Sequence, residues 1–571
     1  MADTLRASGF DGLRKQAKRW LKALRSGDER ALQRLERLLP NHSDPPLLRE
    51  VQQALARELG FPSWAALREH HALEPASSDF TALCDLFLEH ACIFTPPQDL
   101  PVKWRRAERV RARHPRIATS SIHAAVVCGE VEHVRALLRS EPALIASKGG
   151  PQQWEPLLFA CYGRLPDERA REGSLEVAEL LLDAGADPNI CFVSRDAWRL
   201  RFSALTGAMG QGEMGQPEHP RAMELARMLL ERGADPNDGQ GLYNTHLVGD
   251  DTRWLELLFR YGLGPDDPIR WHADPADAPR SGADRCPAIL DYLLSGAAGS
   301  GHTRRLALLL ERGADPDARS IYDGKTCYER ALVHGDREAV DLLLRHGATA
   351  TELEGHDAFV AAVRAGERAR AEGLLQEHPE YRHIGDPLTE AARRGETPVV
   401  RLLLELGVDP NAPSRHGHRA LHNACEQVEI ARLLLHHGAD PRARAFGGTA
   451  CAWAWHAGNG AMARFHAEQS RSLLDAARSG HVALARDLLA RDPASIEERS
   501  PDGNGPLHEL TDDASLAEPI VALLLAHGAD PDLENDLGQA PDRRLEERGA
   551  DEVADLLETM RGDARSSPAR P

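Results

Sequence analysis

Aromatic side chains are scarce in this sequence: they make up 5% of its 571 residues, whereas apolar residues as a group make up 42%. That balance disfavours a β-sandwich and favours helices packed through leucine and alanine. Basic residues are also in deficit, with 69 Lys and Arg against 88 Asp and Glu and a formal charge of −19. A general coat for nucleic acid or for an anionic membrane surface is therefore disfavoured.

Cysteine pairs and enzyme motifs are missing as well. The nine cysteines include no CxxC pair, so neither a disulfide framework nor a zinc ribbon is indicated. The sequence has no P-loop, no GxGxxG after a strand, no GxSxG elbow and no HExxH. No run of about 18 apolar residues occurs, and the start lacks an apolar signal core. We expect a non-enzymatic cytoplasmic chain that uses no cofactor or metal and does not enter a membrane.

What the sequence does contain is a recurring stretch, LLDAGADPN, at residues 181–189. Related copies begin at residues 229, 309, 403, 434 and 524. In each copy leucines fill the last turn of a helix, Gly supplies the left-handed residue that ends it, and Asp-Pro starts a turn. Upstream, SSIHAAVVCG, RALHNACE and GPLHELTDD each begin a helix near the start of a unit of about 33 residues.

This unit resembles the ankyrin repeat in its period and in its helix-opening pattern, over roughly residues 119–560. The resemblance implies an all-α fold, an ankyrin-repeat α-solenoid of about twelve to thirteen helix-turn-helix units with short β-turn fingers. It also implies that His123, His422 and His508, which share one position, hydrogen-bond within and between repeats. The segment ALARELGFPSWAALREH, residues 54–70, resembles a helical module that often precedes ankyrin arrays in bacterial proteins.

The repeats and their interruptions predict six segments. They are an N-terminal helical module (1–76), a helical linker and N-terminal cap (77–118), ankyrin repeats with enlarged loops (119–350), repeats ending in a degenerate repeat (351–470), C-terminal repeats with a cap (471–560) and a disordered tail (561–571). In the degenerate repeat, around residues 449–478, the second helix runs toward the next repeat without a GADPN-type finger. A bend or a boundary between two sub-arrays is expected there.

Three early repeats are predicted to carry enlarged loops between their paired helices, at residues 163–173, 209–220 and 295–301. Equivalent positions in stacked repeats line up, so these loops are expected on one edge of the solenoid. Because long loops cost little entropy, tolerated surface insertions are the alternative. The finger that follows Gly262, residues 263–287, is much longer than the others.

The finger and concave face of repeats two to five is the predicted partner-binding site. Aromatic and Arg side chains beside a concave face are what binding hot spots favour. The predicted contacts are Trp154, Trp198, Arg199, Arg201, Tyr243 and Trp271. The alternative is that the Trp rings cover the bases of their own loops. Trp254, at an inward position of a helix, is predicted to be core.

Residues 103–116, KWRRAERVRARHPR, carry seven basic residues and one acidic residue. An Arg-rich helix can grip phosphate, so nucleic-acid binding is an alternative function. Its candidate residues are Lys103, Arg105, Arg106, Arg109 and Arg113. The preferred interpretation is a capping helix that packs Trp104, Ala107 and Val110 inward, which makes nucleic acid an unexpected partner.

The nearest approach to a metal-binding set is His416, His418, His422 and Cys425. The place of His422 in the repeat explains it structurally, so no metal site is predicted. An enzyme site within residues 1–116 stays an alternative, although no pair of nucleophile and base is recognisable there. We therefore expect a monomeric scaffold or adaptor that binds another protein on the solenoid.

Overall fold

The structure is a computed structural model in which the chain divides into two compact units. We call Met1–Arg68 with Glu354–Pro571 the terminal unit, and Glu69–Leu353 the central unit. The structure describes residues 10–40, 42, 46, 48–61, 64, 67, 80–93, 100–194, 199–212, 215–264, 271, 288–548, 550, 552–557 and 560. Across those stretches, no helix is both long enough and apolar enough to cross a bilayer.

Three helices open the terminal unit: α1 (Phe10–Arg25), α2 (Glu29–Leu38) and α3 (Leu48–Glu58). Apolar positions along one face of α1, such as Leu13 and Trp20, are buried in a core that the three helices share. Asp28 caps α2 by accepting hydrogen bonds from two backbone N–H groups. Arg14 of α1 forms an ion pair of 3.0 Å with Asp555. The N-terminal helices are thus connected to the C-terminal end of the chain.

The central unit consists of helix pairs and one β-hairpin. Its elements are α4 (Phe80–Ala91), α5 (Leu100–Arg113), α6 (Ile122–Val127), α7 (Val131–Ser140), α8 (Pro156–Tyr162), α9 (Glu168–Asp183), β1 (Cys191–Val193), β2 (Arg201–Ser203), α10 (Ala204–Met209), α11 (Ala222–Glu231), α12 (Gly239–His246), α13 (Arg253–Arg260), α14 (Ile289–Ser300), α15 (Thr303–Glu311), α16 (Cys327–His334) and α17 (Arg337–Arg345). Short 3-10 helices lie at Pro115–Thr119 and Pro142–Ala146. Trp254, predicted to be core, is 2% exposed.

The rest of the terminal unit repeats the same plan. Its helices are α18 (Gly355–Arg364), α19 (Arg368–Glu377), α20 (Asp386–Arg393), α21 (Thr397–Glu405), α22 (Ala420–Asn423), α23 (Val428–His436), α24 (Ala450–His456), α25 (Gly460–Ser470), α26 (Leu473–Arg478), α27 (Val482–Arg491), α28 (Ala514–Ala526) and α29 (Pro541–Glu547). Short 3-10 helices lie at Pro379–His383 and Pro493–Glu497. The fold is the predicted all-α ankyrin solenoid, in which leucine-rich helix pairs bury their apolar faces against neighbouring pairs.

The last residue of the LLDAGADPN stretch connects consecutive repeats. Asn189 accepts a hydrogen bond from the N–H of Asp235 at 2.8 Å and donates to the carbonyl of Gly233 at 2.9 Å. Asn411 makes the equivalent two bonds to the repeat after it, at 2.7 and 2.8 Å. These bonds give partners to backbone groups in the turn that follows the helix of the next repeat. The motif therefore ends one helix and also fixes the position of the next repeat.

Two histidines of the helix-opening turns make the hydrogen bonds that the ankyrin resemblance implies. The Nδ1 of His508 accepts from the N–H of Gly505 at 3.1 Å. Its Nε2 lies 3.0 Å from the carbonyl of Gln539 in the following repeat. The Nε2 of His123 lies 2.9 Å from the carbonyl of Ser147. These rings connect a turn to the segment beyond it, so they are structural.

The predicted loop at 295–301 is wrong, because α14 runs through Ser300 and Gly301 ends it with a left-handed φ of 70°. The glycines of this stretch serve close packing. A Cβ on Gly296 would lie 2.7 Å from the Nδ1 of His246, and one on Gly299 would overlap the guanidinium of Arg330. A glycine-rich stretch that suggests flexibility is here a helix pressed against its neighbours.

The other two predicted loops differ in extent. At 163–173 only the first five residues form a loop, because α9 begins at Glu168, where Asp167 caps it by accepting from the N–H of Ala170 at 2.9 Å. At 209–220 a connection between α10 and α11 is confirmed in the residues that the structure describes. The insertions thus lengthen a helix in one repeat and form a loop in another.

The missing finger of the degenerate repeat is confirmed, since only Arg471 and Ser472 separate α25 from α26. Asp475, which is 4% exposed, closes this junction by accepting hydrogen bonds from the hydroxyls of Thr449 and Ser470, each at 2.7 Å. Burial raises the pKa of Asp475. The division between the units falls after Leu353, and the bend or sub-array boundary expected at the degenerate repeat stays a prediction.

Candidate functional site

The finger between α9 and α10 is a short antiparallel hairpin in which Phe192 of β1 lies opposite Phe202 of β2. Trp198, predicted to be a partner contact, lies outside the described residues. Arg199 is exposed and has a left-handed backbone, with φ of 47°. Arg201 is half-buried, and its guanidinium donates to a carbonyl at the base of the same finger at 3.3 Å. The hairpin thus places two arginines at one end of the candidate surface.

Trp154 supports this hairpin from the protein interior. Its ring is 4% exposed, and its centroid lies 4.6 Å from that of Phe192 and 5.2 Å from that of Tyr162. The rings of Phe192 and Phe202 stack in turn, at 5.2 Å. A ring so deeply buried cannot touch a partner, so the prediction of Trp154 as a direct contact was wrong. The alternative, a Trp that covers the base of its own loop, holds only in part, because the ring also packs beneath the following finger.

Four further aromatic rings form a row along consecutive repeats. The centroid of Trp271 lies 6.4 Å from that of Tyr243 and 5.1 Å from that of Tyr292. The hydroxyls of Tyr292 and Tyr322 are 3.2 Å apart. The backbone N–H of Arg201 donates to the carbonyl of Trp271 at 2.8 Å, which ties the row to the hairpin. We call Tyr243, Trp271, Tyr292 and Tyr322 the aromatic row.

The rings of the aromatic row become more accessible toward one end. Tyr292 is 3% exposed, Tyr243 and Trp271 are half-buried, and Tyr322 is 71% exposed. Tyr322 sits at a finger tip, two residues before Gly324, whose φ is 70°. Sequence analysis missed Tyr292 and Tyr322, although an aromatic residue in the turn sequence IYDGK was an available signal. The structure therefore brings Tyr243 and Trp271 together and adds two tyrosines to them.

A buried arginine fixes the helices that carry the hairpin. Arg164 is 5% exposed and donates to the backbone carbonyls of Cys161, Gly163, Gly207 and Pro217, at 2.7–3.1 Å. Burial lowers its pKa to about 10, so it stays a cation at neutral pH. The carbonyls belong to α8, α10 and the loop before α11. Arg164 therefore holds together the scaffold on which the candidate surface rests.

The basic segment predicted as a capping helix is α5, and its inward face is confirmed. Ala107 and Val110 are 0% and 2% exposed, and Trp104 packs partly buried against the same core. Arg111 pairs with Asp167, its Nη1 lying 3.1 Å from a carboxylate oxygen. These contacts attach α5 to the repeats that follow it.

The outer face of α5 carries the residues named for nucleic-acid binding. Arg105, Arg109 and Arg113 are exposed and spaced four residues apart, whereas Lys103 and Arg106 are half-buried. Burial, together with the charges of Arg106 and Lys103, lowers the pKa of His90 to about 4. The charges of Lys103 and Arg106 therefore act on a buried histidine of the same unit. Nucleic-acid binding by the outer face of α5 stays a prediction.

The four residues that most nearly form a metal-binding set have other partners. His422 is 1% exposed, and its Nδ1 accepts from the N–H of Arg419 at 3.4 Å. The thiol of Cys425 donates to the carbonyl of His422 at 2.6 Å, and the rings of His416 and His418 stack at 6.0 Å. No cluster of three or more candidate metal ligands occurs in the part of the chain that the structure describes.

Comparisons with known proteins agree with this architecture. A family model of ankyrin repeats in three copies matches residues 360–445, and a model of the single ankyrin repeat matches residues 153–191. The chain contains ankyrin repeats. The first match lies in the terminal unit and the second contains Trp154 and α9 of the central unit. Ankyrin repeats indicate a protein–protein interaction module.

Similar proteins come from animals and bacteria. The chain is 50% identical to cyclin-dependent kinase inhibitor 2A of Monodelphis domestica over 58 residues, which is 10% of this chain and 34% of that protein. It is 32% identical to an ankyrin repeat-containing protein of Treponema pallidum (strain Nichols) over 131 residues, 21% of this chain and 44% of that one. It is 36% identical to the ankyrin repeat protein YahD of Escherichia coli (strain K12) over 88 residues, 15% of this chain and 44% of that one.

These matches are partial, since the chain spans between a third and just under half of the length of the three relatives. The relatives share the repeat, and they include both animal and bacterial proteins. The bacterial origin expected from the N-terminal module therefore stays a prediction, as does that module's kinship.

Proposed function

We propose that this chain is a non-enzymatic adaptor or scaffold that holds a protein partner on the aromatic row of the central unit, with Arg199 and Arg201 at its edge. The observation that carries the proposal is Tyr322, whose ring is 71% exposed while its hydroxyl lies 3.2 Å from that of the buried Tyr292. A large exposed ring that is already held in position loses little conformational entropy when a partner covers it.

The neighbouring residues suit a binding surface of this kind. Tyr243 and Trp271 are half-buried, so they offer apolar area without being mobile surface groups. Arg199 and Arg201 add donors for carboxylates or carbonyls of the partner. Aromatic and Arg side chains of this type supply much of the binding energy at protein interfaces. Trp198, which precedes Arg199 in the sequence, stays a predicted contact.

Site-specific cross-linking tests the proposal. A photoreactive phenylalanine analogue at position 322 of the full-length protein is expected to cross-link a partner from the native cell, identified by mass spectrometry. Binding of that partner to the unlabelled protein should fall by about tenfold or more in Tyr322→Ser and in Trp271→Ala, since each removes an aromatic ring from the surface.

Leu344→Ser is the matched control. Leu344 is a large apolar residue that is 41% exposed on α17 of the same unit, and it is not part of the aromatic row. This variant should bind like the wild type. If Tyr322→Ser and Trp271→Ala, with the helical content intact by circular dichroism, held the partner as tightly as Leu344→Ser does, the aromatic row would not be the site.

A further inference from the structure

A second aromatic surface lies on the terminal unit, at two consecutive fingers, residues 410–419 and 441–449. The centroid of the Phe446 ring lies 6.2 Å from that of Trp453 and 6.5 Å from that of His418, which itself lies 5.6 Å from Trp453. The indole of Trp453 donates to the carbonyl of Ala445 at 3.2 Å and so holds the second finger. We call the following residues the Phe446 patch: Arg415, His418, Arg442, Arg444, Phe446 and Trp453.

Phe446 occupies a backbone position that disfavours it. It is 78% exposed and has a φ of 48°, followed by Gly447 with a φ of 77°. The two residues form a tight turn closed by bonds of 2.8 and 3.0 Å between Ala445 and Gly448. Such a turn prefers Asn-Gly, because the left-handed conformation is unfavourable for most residues that carry a side chain. Neither the turn nor the core therefore explains a phenyl ring here, and strain of this kind points to function.

Most of the charged side chains near the ring are positive. The two fingers contain four arginines and no acidic residue, in a chain whose formal charge is −19. The guanidiniums of Arg419, Arg442 and Arg444 donate to backbone carbonyls, and among the described residues none of the three pairs with a carboxylate. Arg415 has a side chain that is 79% exposed and lies 3.8 Å from Asp386. The patch therefore offers more positive charge than its two acidic neighbours, Asp386 beside Arg415 and Asp440 beside the backbone of Arg442, can neutralise.

We propose that the Phe446 patch binds an acidic peptide segment that carries an aromatic side chain. The carboxylates of the segment pair with Arg415, Arg442 and Arg444, and its ring stacks against Phe446 and Trp453. The patch shares no residue with the aromatic row and lies in the other unit. The proposal can accordingly stand or fall independently of the partner of the central unit.

Selection of displayed random dodecapeptides on the full-length protein tests the proposal. The key variant is Phe446→Asn, because Asn suits the left-handed position and the variant should unfold at the same or a higher temperature. Any loss of binding then reports the ring and not the fold. Leu537→Asn is the matched control, since Leu537 is 73% exposed at a finger tip of the same unit beside Asp536.

We expect the wild type and Leu537→Asn to enrich peptides rich in Asp and Glu with one aromatic residue, and Phe446→Asn not to enrich them. A synthetic copy of the best peptide should bind Phe446→Asn about tenfold more weakly than the wild type, and added salt should weaken its binding to the wild type. Enrichment that is unchanged in Phe446→Asn, or that shows no acidic preference, would overturn the proposal. So would tight binding of oligothymidine that Phe446→Asn removes, since that outcome assigns the patch to single-stranded nucleic acid.

Discussion

The central and terminal units share a repeat plan, and one buried residue of each, Arg164 and His466, shows two ways of burying a polar group. In the central unit, Arg164 donates to four backbone carbonyls, and Arg305, which is 1% exposed, donates to the carbonyl of Asp251 at 2.8 Å. In the terminal unit His466 is 0% exposed, and within the described part of the chain neither of its ring nitrogens has a hydrogen-bond partner. Arg164 is thus a buried cation whose donors find carbonyls nearby, whereas His466 is a buried neutral ring without hydrogen-bond partners among the described residues.

This contrast shows which part of a repeat can change. The helix pairs and their leucines are the same in both units, because each repeat contacts only its neighbours and the backbone hydrogen bonds are local. The polar residues between repeats are less constrained, provided that nearby hydrogen bonds offset the free-energy cost of burying them. A satisfied Arg should therefore contribute to stability, whereas an unsatisfied His should cost stability, above all in acid.

The two exposed aromatic surfaces differ in a similar way. Tyr322 is backed by the buried Tyr292 and by the rest of the aromatic row. Phe446 contacts the rings of His418 and Trp453, which are only half-buried, and its backbone is left-handed. The first surface is preorganised by packing and the second by a strained turn. Replacing Tyr322 and replacing Phe446 should therefore have opposite effects on the stability of the protein.

The largest effect is expected for Arg164→Met. The change leaves four buried carbonyls without their donor, and breaking a buried charged network typically costs about 3–5 kcal/mol. Urea unfolding of the full-length protein measures it. Arg169→Met is the control, because that side chain is 69% exposed and its ion pair with Glu130 should be worth less than about 1 kcal/mol. Equal losses in the two variants would contradict the role given to the carbonyl network.

The second prediction concerns acid. Burial lowers the pKa of His466 to about 4 from 6.5. Because the folded-state pKa is the lower one, the unfolded state takes up the proton first, so stability falls as the pH drops from about 6.5 to about 4, by up to about 1.4 kcal/mol per pH unit. His466→Leu removes this proton uptake and the unsatisfied nitrogens, and should stabilise the protein by roughly 1–2 kcal/mol at about pH 5.

Urea unfolding at a series of pH values measures the effect of His466→Leu, and His436→Leu is its control, since His436 is exposed on α23 of the same unit. In the control, the free energy of unfolding should depend on pH as it does in the wild type over this pH range. Identical slopes for His466→Leu and the wild type would mean that this buried ring does not make the terminal unit sensitive to acid.

A smaller effect is expected at the ion pair of Arg111 and Asp167, which attaches α5 to α9. The two side chains are 19% and 20% exposed, so a double-mutant cycle should give a coupling of about 1 kcal/mol that shrinks as salt is added. Alanine at both positions, singly and together, supplies the cycle, with chemical unfolding as the measurement. A coupling of zero would leave α5 attached only through its apolar face.

The smallest effect, and one of opposite sign, is expected for Phe446→Asn. Relief of the left-handed strain should stabilise the terminal unit by about 0.5–1 kcal/mol. Tyr322→Asn, at the finger tip of the central unit, should give no such gain, because it removes a ring that packs against Tyr292. Thermal unfolding of the two variants side by side measures the difference. A loss of stability in Phe446→Asn would show that the ring serves the fold.

Sequence reasoning succeeded where the information is local and failed where it depends on neighbours. The helix end in LLDAGADPN, the bonds of two of the three structural histidines, the inward face of α5 and the missing finger near Arg471 all follow from a few adjacent residues. Trp154 was assigned to a surface because it lies in a finger, but Phe192 and Tyr162, which cover it, come from other elements. Similarly, residues 295–300 look flexible until His246 and Arg330 are placed against them.

By itself, the sequence determined the ankyrin repeat and its all-α solenoid. Each repeat ends its helices with its own Gly and buries its leucines against the next repeat. Only the tertiary structure decided which polar and aromatic side chains meet across repeats. Arg164 finds its carbonyls, Tyr322 its backing ring and Arg14 its carboxylate near the C-terminal end through contacts between residues far apart in the chain. Such contacts carry no periodic signal, since they depend on the stacking of several repeats rather than on the pattern within one.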